Sequence, residues 1–436
     1  MSADTPSRKL ATFGLLFALC LGLRVGLIVG RDVPGELERR HGARFGYEMN
    51  RAALAVMRAG SIRDVFADGS GPSAHVSPAY PYLLGGVYRL VGPDPRRMRL
   101  AQCLLSATFA SLAIALLPAV VRSAGLRPGA GTLAALTMAS NMLNLGLETH
   151  GEWEQPLAAL TLVLVVLDAG ARRREGWRSI AGTIRSGALL GWSALLSPPI
   201  ALAAGLIPIG EAMIRPDDRR RIARDLAIQG VVLVVALAPW AVRNYRELGG
   251  AVPLRSNFGL EASLVYRDGA SGYFDDDAMR RHPYSSEPER VEYRRVGELA
   301  YMKAKMRTAR DWAAEHPLRC AGRFARQIFL FWFDPIPPGI RLEDASIDRL
   351  FRLSVGQITA INLLAIFGLF GLFRRRHPSR AVFAAAMFGP SLIYGLVQVS
   401  ARYGHPTRPI AALLAMDLIV GAVARARRRA EAPAPA

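Results

Sequence analysis

The stretch Ala11–Gly30, ATFGLLFALCLGLRVGLIVG, decides the fold: twenty residues carry a single charge, Arg24. A helix of that length and composition crosses about 30 Å of hydrocarbon. Comparable apolar blocks recur at roughly 100–121, 132–147, 156–171, 184–196, 199–214, 228–242, 354–373, 381–399 and 410–424. Ten such blocks predict an all-α integral membrane protein. The blocks at 184–196 and 199–214 are short and joined at Ser197-Pro198-Pro199. One re-entrant unit and two tilted helices are both compatible with that joint.

Working outward, the blocks change how the composition reads. The chain has 436 residues, 51% of them hydrophobic, and a net charge of +20. Apolar residues in long blocks exclude a soluble enzyme and a disordered chain. Such an excess of base would raise nucleic acid as a partner, but the arginines are punctuation between spans, and no nucleic-acid partner is expected. Lysine is confined to Lys9, Lys303 and Lys305. The three cysteines, Cys20, Cys103 and Cys320, offer neither a disulfide framework nor metal spacing. The first block is long, contains Arg24 and lacks a convincing small-x-small site, so it reads as a retained span rather than a cleaved leader.

The connections at Arg122 to Arg127, Arg172-Arg173-Arg174, Arg215 to Arg224, Arg374-Arg375-Arg376 and Arg425 to Arg429 are short and basic. They alternate with connections that are not. With the N-terminus inside, all five fall on the cytoplasmic side, as the positive-inside bias requires. Ten spans close the pattern, and both termini are then cytoplasmic. The expected organisation is residues 1–30 as the first span and 31–99 as the first extracytoplasmic loop. Spans two to seven follow at 100–242, the second large loop at 243–353, spans eight to ten at 354–424, and a basic, alanine- and proline-rich, disordered tail at 425–436.

The polar chemistry lies on the opposite, extracytoplasmic face. Tyr47 to Ala59 spaces its apolar residues as a helix lying on the membrane surface. Pro288 to Glu315 reads as charged helix, and Phe324 to Phe333 as an interfacial segment too short to span. An enzyme on that face has no nucleotide sugar at hand. It needs a lipid-carried activated substrate or no activation at all.

The residues on this face resemble a known family. They are the strings Phe45-Gly46-Tyr47-Glu48-Met49, Gly71-Pro72-Ser73-Ala74 and Pro78-Ala79-Tyr80-Pro81-Tyr82-Leu83-Leu84. Further along come Pro239-Trp240-Ala241-Val242-Arg243-Asn244-Tyr245, Arg255-Ser256-Asn257-Phe258-Gly259-Leu260-Glu261, Gly297-Glu298-Leu299-Ala300-Tyr301-Met302 and Arg402-Tyr403-Gly404-His405-Pro406. In this order they resemble the polyprenyl-phosphate-dependent glycosyltransferases of the GT-C superfamily. They look like the bacterial family 39-like branch, which is related to protein O-mannosyltransferases and to the aminoarabinose transferase of lipid A. The resemblance implies a GT-C-type bundle and a polyprenyl-phosphate-linked sugar as donor. It also implies a protein, lipid or glycan acceptor in the cell envelope, the lipid bilayer as solvent, and an inner-membrane location. Many relatives carry an Asp or an Asp-Glu pair in the first outer loop, where this chain has Glu48 with no acidic neighbour. No metal ligands are therefore assigned, and a divalent cation (Mg2+ or Mn2+) is the one cofactor left open.

Sugar transfer from a lipid phosphate calls for a carboxylate that takes the acceptor proton and for cations that hold the leaving phosphate. Glu48 is the expected base, against the reading of a solvated glutamate beside Arg51. Arg402, Tyr403, His405, Arg408 and Arg243 are the expected donor-phosphate ligands, because arginine matches phosphate bidentately. The loop holding Arg402 and Arg408 is one where the orientation rule disfavours arginine. Tyr47, His75, Tyr80, Tyr82, Asn257 and Glu261 are the expected pocket. Glu154 either approaches the site or caps the next helix, His282 has no metal spacing, and Arg24 is either functional or snorkels. Two rivals remain: a transporter or flippase of lipid-linked sugars, which calls for polar residues at mid-membrane and inverted repeats, and a non-catalytic membrane subunit, which would not depend on Glu48.

Overall fold

A computed structural model describes residues 6–42, 45–175, 179–333, 336 and 345–431. The tail residues 432–436 and the end of the second large loop, 334–335 and 337–344, lie outside them. Among the described residues the chain is helical without strands; only the bridges Arg63–Pro72 and Tyr273–Val399 pair as β-structure.

Among the described residues six helices are long and apolar enough to cross a membrane: Pro6–Gly30, Pro95–Ala124, Gln155–Arg174, Arg219–Leu248, Ile347–Arg374 and His405–Ala430. Shorter apolar helices lie at Ala130–Ala139, Ile180–Leu196, Pro198–Ile214 and Arg380–Tyr394. Each apolar block meets one of these helices, except that 132–147 also runs into a further helix, Met142–His150. The longer helices run past their apolar blocks into polar sequence, so Arg219–Leu248 exceeds 228–242 at both ends. Exposed side chains on the bundle's outside are apolar: Leu15 is 72% exposed and Val234 67%. In water such faces would drive aggregation; a bilayer solvates them. This is an all-α, multi-pass membrane fold.

The Ser197-Pro198-Pro199 joint resolves into two helices. Ser197 is extended, and the two prolines fill the first turn of the next helix, where no N–H is required. That helix, Pro198–Ile214, packs on Arg380–Tyr394 at close range. A Cβ on Gly389 would sit 2.7 Å from the Ala203 backbone, so only glycine fits there. The 132–147 block is broken at Asn141. Its side chain accepts the Asn144 N–H (3.1 Å) and donates to Gln357 (2.8 Å), tying the break to the helix Ala345–Arg374.

Four of the five arginine-rich connections meet at one end of the bundle. Arg127 and Arg375 both bind the buried Asp417, at 2.5 and 2.7 Å. Arg173 and Arg215 share Glu211, each at 3.1 Å. Arg172 pairs with the buried Asp225, and His377 reaches the Gly125 carbonyl at 3.1 Å. Part of the excess of base is thus neutralised by acids inside the bundle. The helix Gln155–Arg174 has 20 residues and is therefore about 30 Å long. It carries the arginines at one end and, at the other, the residues that open the cavity described next.

The outer segments form short helices over that second end: Val33–His41, Glu48–Ala59 and Ala79–Val91 from the first, then Phe258–Val265, Asp276–Arg280, Glu287–Val296, Glu298–Glu315 and Pro317–Phe333 from the second. The charged helix expected at Pro288 to Glu315 is two helices, broken at Gly297 with φ 81°.

Candidate active site

Helix start and backbone conformation place Glu48. Phe45 takes the left-handed φ of 63°, and Gly46 follows at 140°, where a Cβ would meet the Asn50 side chain at 2.6 Å. This turn delivers Tyr47 and then Glu48 at the first position of the helix Glu48–Ala59. The helix N-terminus favours a carboxylate there. Asn50 donates to Gln102 (2.7 Å), Tyr88 donates to the same oxygen (2.7 Å), and Gln102 donates to the His150 carbonyl (2.8 Å), which anchors the helix to the bundle. Arg51 does not pair with Glu48: it binds Asp68 at 2.7 Å, and Glu48 is 6% exposed.

Glu48 lines a cavity of about 1140 Å³. Of the residues expected from sequence, Tyr47, Glu48, His75, Asn257, Glu261, Arg402 and Tyr403 all line it. They come from segments more than 350 residues apart in the chain (48 to 402). Between the two ends of that set runs a stack of rings. The Arg402 guanidinium lies 3.5 Å from the Trp153 ring centre, and Trp153 stacks on Tyr47 at 5.4 Å. Tyr47 also touches Tyr284, at 5.4 Å. On the far side Tyr403 stacks on Tyr394 at 4.3 Å, and Tyr394 on Phe331 at 5.5 Å. Arg402 Nε has no hydrogen-bond partner among the described residues, and neither do Glu154 Oε2 and Gln155 Oε1. A buried cationic donor and several buried acceptors thus meet around one space.

The other expected residues sit elsewhere, and all but Tyr82 have a structural task. Tyr80 is buried and donates to the Gly151 carbonyl (2.8 Å). Tyr82 is 39% exposed and lies outside the lining. Arg243 stacks on Trp240 (4.9 Å) and donates to the carbonyls of Ser73 (2.8 Å) and Ile62 (2.5 Å), bracing the first outer loop. His405 bonds Glu148 (2.8 Å), and Arg408 donates to Asn144 and to the Ala401 carbonyl, each at 2.6 Å. Both fix the turn that presents Arg402 without lining the cavity. Arg24 is fully buried and pairs with the same Glu148, so it does not snorkel.

Sequence reasoning gave no site role to Trp153, Arg255, His282 or Gln398, all of which line the cavity. Arg255 donates to the His75 carbonyl (3.0 Å), Ser256 N–H to the Ala74 carbonyl (3.0 Å), and Glu298 accepts from Ala74 N–H (2.8 Å) and Ser256 (2.7 Å). The two outer segments are stitched together beside the cavity. Gln398 donates to Glu261. Two of them carried a local signal: Trp153, one residue before an acid in a short turn, and Arg255, which opens one of the strings that carry the resemblance.

Glu48, His75 and His282 are all buried and offer one donor atom each, all within 4.8 Å of one another. Burial, then the neighbouring His282 and Arg255, hold the His75 imidazole well below its usual pKa and so neutral. A hard ion such as Mg2+ takes oxygen ligands, and two imidazoles with one carboxylate are not such a set.

The helical membrane bundle with a polar cavity at its capped end shares its fold with solved structures. The apo oligosaccharyltransferase of Archaeoglobus fulgidus superposes with a TM-score of 0.55 and 13% identity, over 100% of this chain and 53% of its own. The same archaeon's oligosaccharyltransferase AglB, in complex with an inhibitory peptide and a dolichol-phosphate, gives 0.50 and 12%, over 98% and 52%. ArnT from Cupriavidus metallidurans bound to undecaprenyl phosphate gives 17% identity over 92% and 78%, at a TM-score of 0.37, below the level of a shared fold. The chain spans about half the length of the oligosaccharyltransferases it matches. No family profile matches the chain, and no curated protein matches it in sequence.

Proposed function

We propose that the chain is a membrane glycosyltransferase that moves a sugar from a polyprenyl-phosphate carrier to a cell-envelope acceptor. It acts on the extracytoplasmic face of the inner membrane, with both termini cytoplasmic. The observation that carries this reading is one cavity holding a buried carboxylate, Glu48, and a stacked arginine, Arg402, with aromatic rings between them. Sugars pack their faces on such rings and donate hydroxyls to acceptors such as Glu154, Gln155 and Glu261. The fold likeness supports the reading too: the AglB structure holds a dolichol-phosphate.

In the proposed step the acceptor hydroxyl attacks the anomeric carbon as Glu48 takes its proton. The bond from that carbon to the phosphate oxygen breaks, and the electron pair leaves on the lipid phosphate. Arg402 stabilises that charge, with Tyr403 beside it. One displacement at one carbon inverts its configuration. A flippase reading has less support, because the residues that line the cavity come from the capped end of the bundle rather than from broken helices at mid-bundle.

The test is transfer by the purified chain in detergent from a radiolabelled polyprenyl-phosphate sugar to cell-envelope fractions. Labelled product with inverted configuration supports the proposal. Donor that is bound or moved across liposomes, but never transferred, overturns it.

A further inference from the structure

We propose that Glu148 is a positioning residue for Arg402: through His405 it sets where the guanidinium stands, without touching the donor. The proposal rests on the reading of Arg402 as the donor-phosphate ligand. Glu148 is 2% exposed and lies outside the cavity lining. It belongs to the helix Met142–His150, four residues after Asn144, so the two side chains share one face. That face meets the turn that carries Arg402. His405 bonds Glu148 Oε1 at 2.8 Å. Arg408 links Asn144 to the Ala401 carbonyl, next to Arg402, through two bonds of 2.6 Å.

The same helix controls the ring over which the guanidinium lies. After His150 the chain turns at Gly151, with φ 63°, and Trp153 follows two residues later. That turn is itself pinned: the Gln102 side chain donates to the His150 carbonyl (2.8 Å), and Tyr80 donates to the Gly151 carbonyl (2.8 Å). One helix of nine residues thus holds both the ring and the Arg402 turn. The 3.5 Å approach of Arg402 to Trp153 is set by how those two are joined. A misplacement of about 1 Å at such a contact costs on the order of 10²-fold. Arg24 takes the other carboxylate oxygen, its Nε donating to Glu148 Oε2 at 2.9 Å. Neutralising Arg24 needs only that oxygen. Oε1 is directed to His405, which a positioning role requires and charge balance alone does not.

The test compares two double variants of the full chain in detergent, with radiolabelled polyprenyl phosphate, carrying no sugar, as the probe. Arg24→Leu with Glu148→Gln and Arg24→Leu with Glu148→Leu remove the same two charges. Only the first leaves an oxygen for the His405 N–H. Its Kd should stay within about threefold of wild type, while that of the second should rise roughly tenfold or more. A merely structural or electrostatic role gives both the same Kd, and that result overturns the proposal. Should the leucine pair not fold, His405→Phe replaces it: Arg24 and Glu148 stay paired, and the bond to the turn is lost. An unchanged Kd in that variant overturns the proposal equally. Arg402→Lys is measured beside them. Weakened binding there, with equal Kd in the two doubles, ends the positioning role alone. Wild-type binding by Arg402→Lys ends the phosphate reading, and the proposal with it.

Discussion

The Arg402 guanidinium lies over Trp153, 3.5 Å from the ring centre. Stacking fixes the plane of the fork, so its N–H groups are aimed before any ligand arrives. A lysine keeps the charge but has neither the plane nor the second donor. Arg402→Lys is therefore expected to lose about 1.5–3 kcal/mol of donor binding, a rise in donor KM of roughly 10- to 150-fold. Steady-state transfer with radiolabelled donor measures it. A donor KM within twofold of wild type would remove Arg402 from the phosphate site.

Glu48→Gln is isosteric and keeps the helix start intact. A positioned general base contributes roughly 10²- to 10⁴-fold, so kcat should fall by about that factor while donor binding persists. The discriminating readout is kcat at saturating donor, alongside donor affinity. A variant that transfers at the wild-type rate ends the base assignment.

How far the sequence reached differs between the fold and the site. The apolar helices were legible because hydrocarbon forbids unpaired backbone, but the break at Asn141 inside the 132–147 block was not. Glu48 was singled out by the resemblance, because the helix spacing around it fits a solvated glutamate equally well. Charge alone did not tell Arg402, which lines the cavity, from His405 and Arg408, which brace the turn behind it. That difference depends on Glu148 and Asn144, more than 250 residues upstream. His282 could not be grouped with Glu48 and His75 at all. The three are assembled by helix packing, and no spacing along the chain records it.

Arg24 and Glu148 pair inside the bundle, with side chains 0% and 3% exposed. Arg24 Nε donates to Glu148 at 2.9 Å, and His405 bonds the other carboxylate oxygen at 2.8 Å. Removing one partner strands the other charge, so Arg24→Leu should cost about 3–5 kcal/mol. Arg24→Leu with Glu148→Leu removes both charges and should recover most of that loss. Thermal unfolding in detergent compares them. If the double variant is no more stable than the single one, the pair does not hold the bundle.

Glu298 is the clamp that keeps the cavity wall in register. It is 6% exposed and accepts from Ala74 N–H (2.8 Å), Ser256 (2.7 Å) and Tyr293 (2.6 Å). Ala74 precedes the cavity residue His75, and Ser256 follows Arg255, so one carboxylate joins both outer segments. Glu298→Ala leaves those donors buried without an acceptor, at about 1–3 kcal/mol each before relaxation. It should lower the unfolding temperature and speed proteolysis of residues 60–75. Glu298→Gln keeps one acceptor oxygen and should fall between alanine and wild type. Equal stability and equal cleavage in all three proteins would mean that the two segments are held by their backbone pairing alone.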